Sequence, residues 1–152
     1  MKKRLNYQNV APEAIKGMLE LEKYVASSGI EHGLYELVKL RTSQINGCAY
    51  CIDMHSKDAR KAGETEQRLY TLTAWRETSF FTERERAALA WTEAMTLISE
   101  NDISDSLYQE VAEHFSEKEH VALSMAIVAI NGWNRLAIGF RKEPGSYNPN
   151  KT

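Results

Sequence analysis

The prolines of this chain are confined to its ends: Pro12, Pro144 and Pro149 are the only three in 152 residues. Proline removes a backbone donor and clashes with the preceding helical turn. A proline-free interior of this length therefore lets helices run without interruption, and the apolar spacing there is helical. Pro12 suits the first turn of a helix over 12–28, with Ile15, Met18, Leu19 and Val25 on its apolar side. A second is predicted over 31–45, with Leu34, Leu37, Val38 and Ile45 inward, and Asn46-Gly47 breaks it. Further helices are predicted over 48–62, 66–75, 82–99, 104–115 and 116–140. Thr82 to Glu85 and Ser116 to Glu119 have the spacing of capping boxes, in which side chains satisfy the free N–H groups of a helix start. The segment 121–130 is apolar on more than one side, the mark of a buried helix. No strand pattern, repeat or low-complexity linker interrupts the series. The expected fold is all-α, a bundle of about six to seven helices. It forms one domain over 1–152, with its core at 12–140 and a flexible tail at 141–152.

A chain this long buries roughly 70% of the surface its unfolded form exposes, so its core needs no crosslink. The net charge of −2 and the lack of a basic block argue against nucleic acid as a partner. The basic N-terminus is followed by no apolar run, so no signal peptide is expected. The longest apolar run falls well short of the roughly 20 residues that span a bilayer. The expectation is a cytoplasmic protein with no membrane partner. In such a compartment two neighbouring cysteines are catalytic or metal-binding more often than structural.

Both cysteines lie in the stretch GCAYCIDMH, residues 47–55. If Gly47 breaks the chain, Cys48 and Cys51 occupy the first turn of a helix, and Cys48, Cys51 and His55 share one face. A helix N-terminus stabilises a thiolate, which favours Cys48. An imidazole one turn along favours Cys51. The spacing alone leaves that choice open. Two small buried hydrophobes beside a hydrogen-bonded histidine is the plain alternative. Half of a zinc site is another, but a structural zinc needs four ligands and there is no second CxxC. His32, His114 and His120 are too scattered to nominate. Haem attachment needs a histidine directly after the second cysteine, where Ile52 stands.

Upstream, Glu36 completes the pattern E-x11-C-x2-C-x3-H with Cys48, Cys51 and His55. This pattern resembles the signature of the AhpD-like alkylhydroperoxidases, within the carboxymuconolactone decarboxylase superfamily. The stretches FTERERAALAWTEAMTL (81–97) and INGWNRLAI (130–138) are similar to that group too, and the likeness runs over about 12–140. The resemblance implies an all-α AhpD-like bundle that assembles as a homo-oligomer, a trimer or hexamer. It implies a dithiol peroxidase with Cys51 peroxidatic, Cys48 resolving, His55 relaying a proton and Glu36 holding His55. It also implies a hydroperoxide substrate and an external dithiol reductant, lipoyl-type or thioredoxin-like, with no organic cofactor and no metal. The decarboxylase branch lacks the cysteine pair, so decarboxylation is a poor reading. One departure stands out: the best-known peroxidase members carry a histidine just before the second cysteine, and this chain has Tyr50. A phenol is a poor base at neutral pH but still donates a hydrogen bond.

Two other classes therefore stay in play. One is a dithiol–disulfide oxidoreductase or redox sensor with little peroxidase activity, and the other a metal-binding structural module. Read singly, Glu36 is as much an exposed helix carboxylate as a relay partner. Asp53 and Asp58 read as solvated charges, and Trp91 and Trp133 as core or interface. Asn131, Asn134 and Arg135 read as a polar cluster that satisfies buried groups or pairs across subunits. His120 reads as surface.

Overall fold

The computed structural model describes residues 4–150. Among them are eight α-helices and no strand: α1 (Tyr7–Val10), α2 (Pro12–Ala26), α3 (His32–Asn46), α4 (Ala49–Lys61), α5 (Glu66–Thr71), α6 (Glu83–Thr96), α7 (Asp105–His114) and α8 (Glu117–Gly139). The all-α expectation holds. The count exceeds the expected six to seven because α1 is too short to carry a periodicity. It rests on the Asn6 side chain, which accepts from the Gln8 and Asn9 N–H groups, and on Tyr7, packed 5.3 Å from the Phe140 ring. The helix expected over 66–75 splits. After α5 the chain tightens into a 3-10 segment, Leu72–Glu77, with non-helical backbone at Ala74. Both capping boxes form, at Thr82/Glu85 and Ser116/Glu119.

Helix α3 is the centre. It packs against α4, α6 and α8, while α8 also meets α2 and α6. Its surface divides into three stripes. Leu34 and Val38 enter one apolar cluster with Trp91, Val111, Leu123 and Ile127. Leu37 and Leu40 enter another with Ala59, Leu72, Trp75 and Leu89. The third stripe is polar yet buried: Glu36, Lys39 and Ser43 are 3%, 7% and 0% exposed. Burying such groups is costly unless each is paired, and each finds a partner on a different helix, described below.

Helix α8, whose most apolar 18-residue window has a mean hydropathy of 1.4, is long and apolar enough to cross a membrane by length and composition. Here its apolar residues pack on α2, α3 and α6. Its polar residues close against α3. The Asn46 amide donates to Asn131 Oδ1 (3.0 Å) and Asn134 Oδ1 (2.9 Å), and the Asn134 amide donates to Ser43 Oγ (3.1 Å). Arg135 donates to the Asn131 backbone and side-chain oxygens. The polar cluster of α8 thus satisfies groups within this chain.

The segment after α8, expected to fray, runs back along α4. Lys57 donates to the Tyr147 carbonyl, the Gly145 N–H donates to Asp53, and Lys61 donates to the Pro149 carbonyl. Residues 151–152 lie outside the described residues. His120, expected at the surface, is 7% exposed and packs edge-on to Trp91 at 4.6 Å.

Asn134 is fully buried and joins α8 to the C-terminal turn of α3 at Asn46 and Ser43. Asn134→Ala leaves the buried donors and acceptors of Asn46 and Ser43 short of partners. It is expected to lower unfolding free energy by about 2 kcal/mol, read from urea denaturation. A change near zero would show that the network adds nothing to stability.

Candidate active site

The site begins at the turn between α3 and α4. Gly47 ends α3 in the left-handed region (φ 67°), the conformation glycine adopts at least cost. The Cys48 N–H then bonds back to the Ser43 carbonyl at 3.0 Å. This turn makes Cys48 the N-cap of α4, one position earlier than the first-turn placement expected from sequence. Cys51 follows at the third helical position, and its N–H donates to Cys48 Sγ at 3.3 Å. The two sulfurs form a disulfide, and the residues are 1% and 2% exposed.

One turn along α4, His55 is 3% exposed, and its Nδ1 lies 2.8 Å from Glu36 Oε2 on α3. An ionised carboxylate only accepts, so Nδ1 carries the proton, and Nε2 is the ring nitrogen left to act as a base. Burial pushes the Glu36 carboxyl up, but the His55 hydrogen bond, with the charges of His55, Lys39 and His32, brings it below its ordinary 4.5. Lys39 Nζ sits 3.8 Å from Glu36 Oε1 and 3.2 Å from Glu22 Oε2 on α2. Glu22 also accepts from the Tyr35 hydroxyl and, at 3.0 Å, from Trp133 Nε1 on α8. Burial and then Glu22 raise the Tyr35 phenol, so it stays protonated. Each buried charge is thus opposed by another, in a chain running Trp133–Glu22–Lys39–Glu36–His55.

Above this network lies a cavity of about 290 Å³. Cys51, His55 and Asp58 of α4 line it, with Ile130, Trp133 and Ala137 of α8, Tyr7 of α1, and Lys142 and Tyr147 of the tail. Cys51 is among the lining residues and Cys48 is not. Tyr50 also lines it, with Lys142 Nζ 4.1 Å from its ring centroid. Asp58, expected as a solvated charge, accepts from the Tyr147 hydroxyl at 2.7 Å. Burial and then that bond raise the Tyr147 phenol. Among the described residues, Glu36, His55 and Asp58 also bring potential metal-ligand atoms within 4.8 Å of one another. Glu36 and His55 are already bonded to each other, and the two sulfurs that a zinc site would need beside His55 are bonded to each other.

The structure therefore gathers all five residues singled out by sequence: Glu36, Cys48, Tyr50, Cys51 and His55. Those it adds came with uneven signals. Lys39 follows Glu36 by three residues and Asp58 follows His55 by three, so helical spacing alone places each beside its partner. Glu22, Trp133, Lys142 and Tyr147 come from distant segments and carry no local signal.

A helical bundle that aims a CxxC dithiol and a Glu–His pair at one cavity is the architecture of a defined family. Residues 12–94 match the model of the carboxymuconolactone decarboxylase family, and the chain belongs to that family, on its AhpD-like side. It is 47% identical to the uncharacterised protein YdfG of Bacillus subtilis, over 96% of this chain and 99% of that one. The crystal structure of an Agrobacterium tumefaciens protein of unknown function, assigned a candidate AhpD antioxidant-defence role, superposes with a TM-score of 0.92. It is 46% identical and covers 96% of this chain and 100% of that one. The debrominase Bmp8 shares the fold alone, with a TM-score of 0.81 and 20% identity over 91% of this chain and 75% of that one.

The depressed Glu36 carboxyl has a consequence for stability. Its folded pKa lies below 4.5, so the stabilisation from its ionised form is complete above that value and is lost as pH falls through the lower one. The stability difference between wild type and Glu36→Gln is expected to shrink as acid protonates Glu36, as read from urea midpoints across pH. A difference that stays constant into acid would mean that the pairing of Glu36 does not stabilise the fold.

Proposed function

We propose that this protein is a thiol-dependent peroxidase acting on hydroperoxides. The observation that carries the reading is that Cys51, rather than Cys48, lines the cavity beside His55. The reduced Cys51 thiolate attacks the O–O bond, which breaks to leave Cys51 sulfenic acid and an alkoxide. The alkoxide takes a proton relayed through His55 and leaves as an alcohol. Glu36 holds the ring so that Nε2 is the working nitrogen. The Cys48 thiol then attacks the Cys51 sulfur, forms the disulfide and expels water. An external dithiol returns the two electrons by exchange.

Burial of both sulfurs bears on the reductant. A disulfide that is 1–2% exposed favours a lipoyl-type dithiol on a slender arm, which fits the cavity, over a broad thioredoxin-like face. The chain works in this reading as a homo-oligomer, a trimer or hexamer. Apolar side chains left exposed on α2 and α8 (Leu19, Val121, Val128 and Ile138) support that assembly.

A second reading, dithiol–disulfide exchange or redox sensing with little peroxide chemistry, has its own support. The Cys51 N–H points at Cys48 Sγ, and a helix N-cap favours a thiolate there. Tyr50 also stands where the best-known peroxidases carry a histidine.

One equivalent of an organic hydroperoxide added to reduced protein separates the two. Peroxidase chemistry removes both thiols quickly with a loss of about 2 Da, and Cys51→Ser abolishes it, whereas Cys48→Ser stops after one sulfenic acid. Thiols that survive peroxide but yield at once to a disulfide donor would establish the second reading. Glu36→Gln should slow peroxide-driven oxidation by about 100-fold if the relay operates, and Tyr50→His should accelerate it if the phenol is limiting.

A further inference from the structure

Every charged side chain around the cavity is accounted for except one. Glu22 is held by Lys39, Tyr35 and Trp133, and Asp58 by Tyr147. Lys39 is engaged by Glu22 and Glu36. Lys142, half-buried at the cavity edge, has no carboxylate within ion-pair distance among the described residues. Its contact is the face of the Tyr50 ring, 4.1 Å away. Tyr50 directly precedes Cys51 in the chain, and Lys142, Tyr50 and Cys51 all line the one cavity. The adjoining groove, which shares Tyr7, Gln8 and Lys142 with the cavity, is also lined by Arg4 and Glu143.

We propose that Lys142 is an anion anchor and that the cavity takes carboxylate-bearing organic hydroperoxides. This rests on the peroxidase reading above. The carboxylate pairs with Lys142 Nζ, the apolar body lies against Ile130, Trp133 and Ala137, and the hydroperoxide reaches Cys51. A volume of about 290 Å³ is at the small end of ligand pockets, which favours an aryl or short-chain body over a long lipid. The chemistry is unchanged. Cys51 is oxidised to the sulfenic acid, the O–O bond is reduced to an alcohol that keeps its carboxylate, and Cys48 closes the disulfide with loss of water.

The test compares cumene hydroperoxide with its para-carboxylate, which share one skeleton and differ in charge. Reduced wild type, Lys142→Ala and Lys142→Arg are each oxidised by both, and the ratio of the two second-order rates is read. A partly exposed ion pair predicts about a fivefold preference for the carboxylate in wild type, weakened by salt. The preference should fall to about one in Lys142→Ala and return in Lys142→Arg. A wild-type ratio near one, or a preference that survives in Lys142→Ala, overturns the anchor. Should neither hydroperoxide oxidise the protein, the peroxidase reading fails and the anchor is judged by binding. In that case 4-isopropylbenzoate should quench tryptophan fluorescence saturably in wild type and Lys142→Arg, and about fivefold more weakly in Lys142→Ala. Equal binding in all three, or none in any, then overturns the anchor.

Discussion

A helix buried on every side cannot bury charge unless its neighbours answer it, and α3 buries two. Glu36 and Lys39 face inward one turn apart, with Ser43 a further turn on. Removing a carboxylate or an ammonium from water costs several kcal/mol, recovered only through close pairing and hydrogen bonds. Glu36 is answered by His55 of α4, Lys39 by Glu22 of α2, and Ser43 by Asn134 of α8. Three helices are thereby fixed in position around the third by polar contacts, while apolar packing secures its other two stripes. The same contacts build the site, because the partner that satisfies Glu36 is the imidazole beside the dithiol.

The electrostatics around the two sulfurs are divided. Cys48 sits at the helix start and receives an N–H from Cys51, which suits a thiolate that is shielded and resolves. Cys51 opens on the cavity and has the imidazole one turn below it, which suits the sulfur that meets substrate. Which sulfur meets the cavity is set by α8 and the tail, whose residues line it together with Cys51. Tyr50, between the cysteines, contributes a ring face and not a base, and the cation above it comes from the residue three beyond the end of α8.

Much of this was legible in the chain. The capping boxes at Thr82 and Ser116 mark helix starts because their hydrogen bonds are local. Gly47 marks the turn because few other residues accept a positive φ. The spacing from Cys48 to His55 puts three reactive side chains on one face by helical geometry alone. Glu36 was legible only through a family pattern, since nothing local distinguishes it from a solvated carboxylate. Asp58 and His120 were misread for the same reason. Each looks solvated along its own helix, and each is covered by a segment distant in sequence, Tyr147 in one case and Trp91 in the other. The bonds of the tail to Asp53, Lys57 and Asp58 had no local signal, because they depend on α4 being where α3 holds it.

The sequence by itself determined the helices, the turn that presents the dithiol and the alignment of Cys48, Cys51 and His55, because capping, backbone freedom and helical periodicity act within a few residues. Only the tertiary structure decided which sulfur faces the cavity, which buried charge answers which, and that Lys142 stands over the Tyr50 ring at the mouth. Those outcomes depend on the meeting of segments more than a hundred residues apart. Which partner each buried or half-buried charge meets is a property of the packed molecule, where desolvation makes pairing matter.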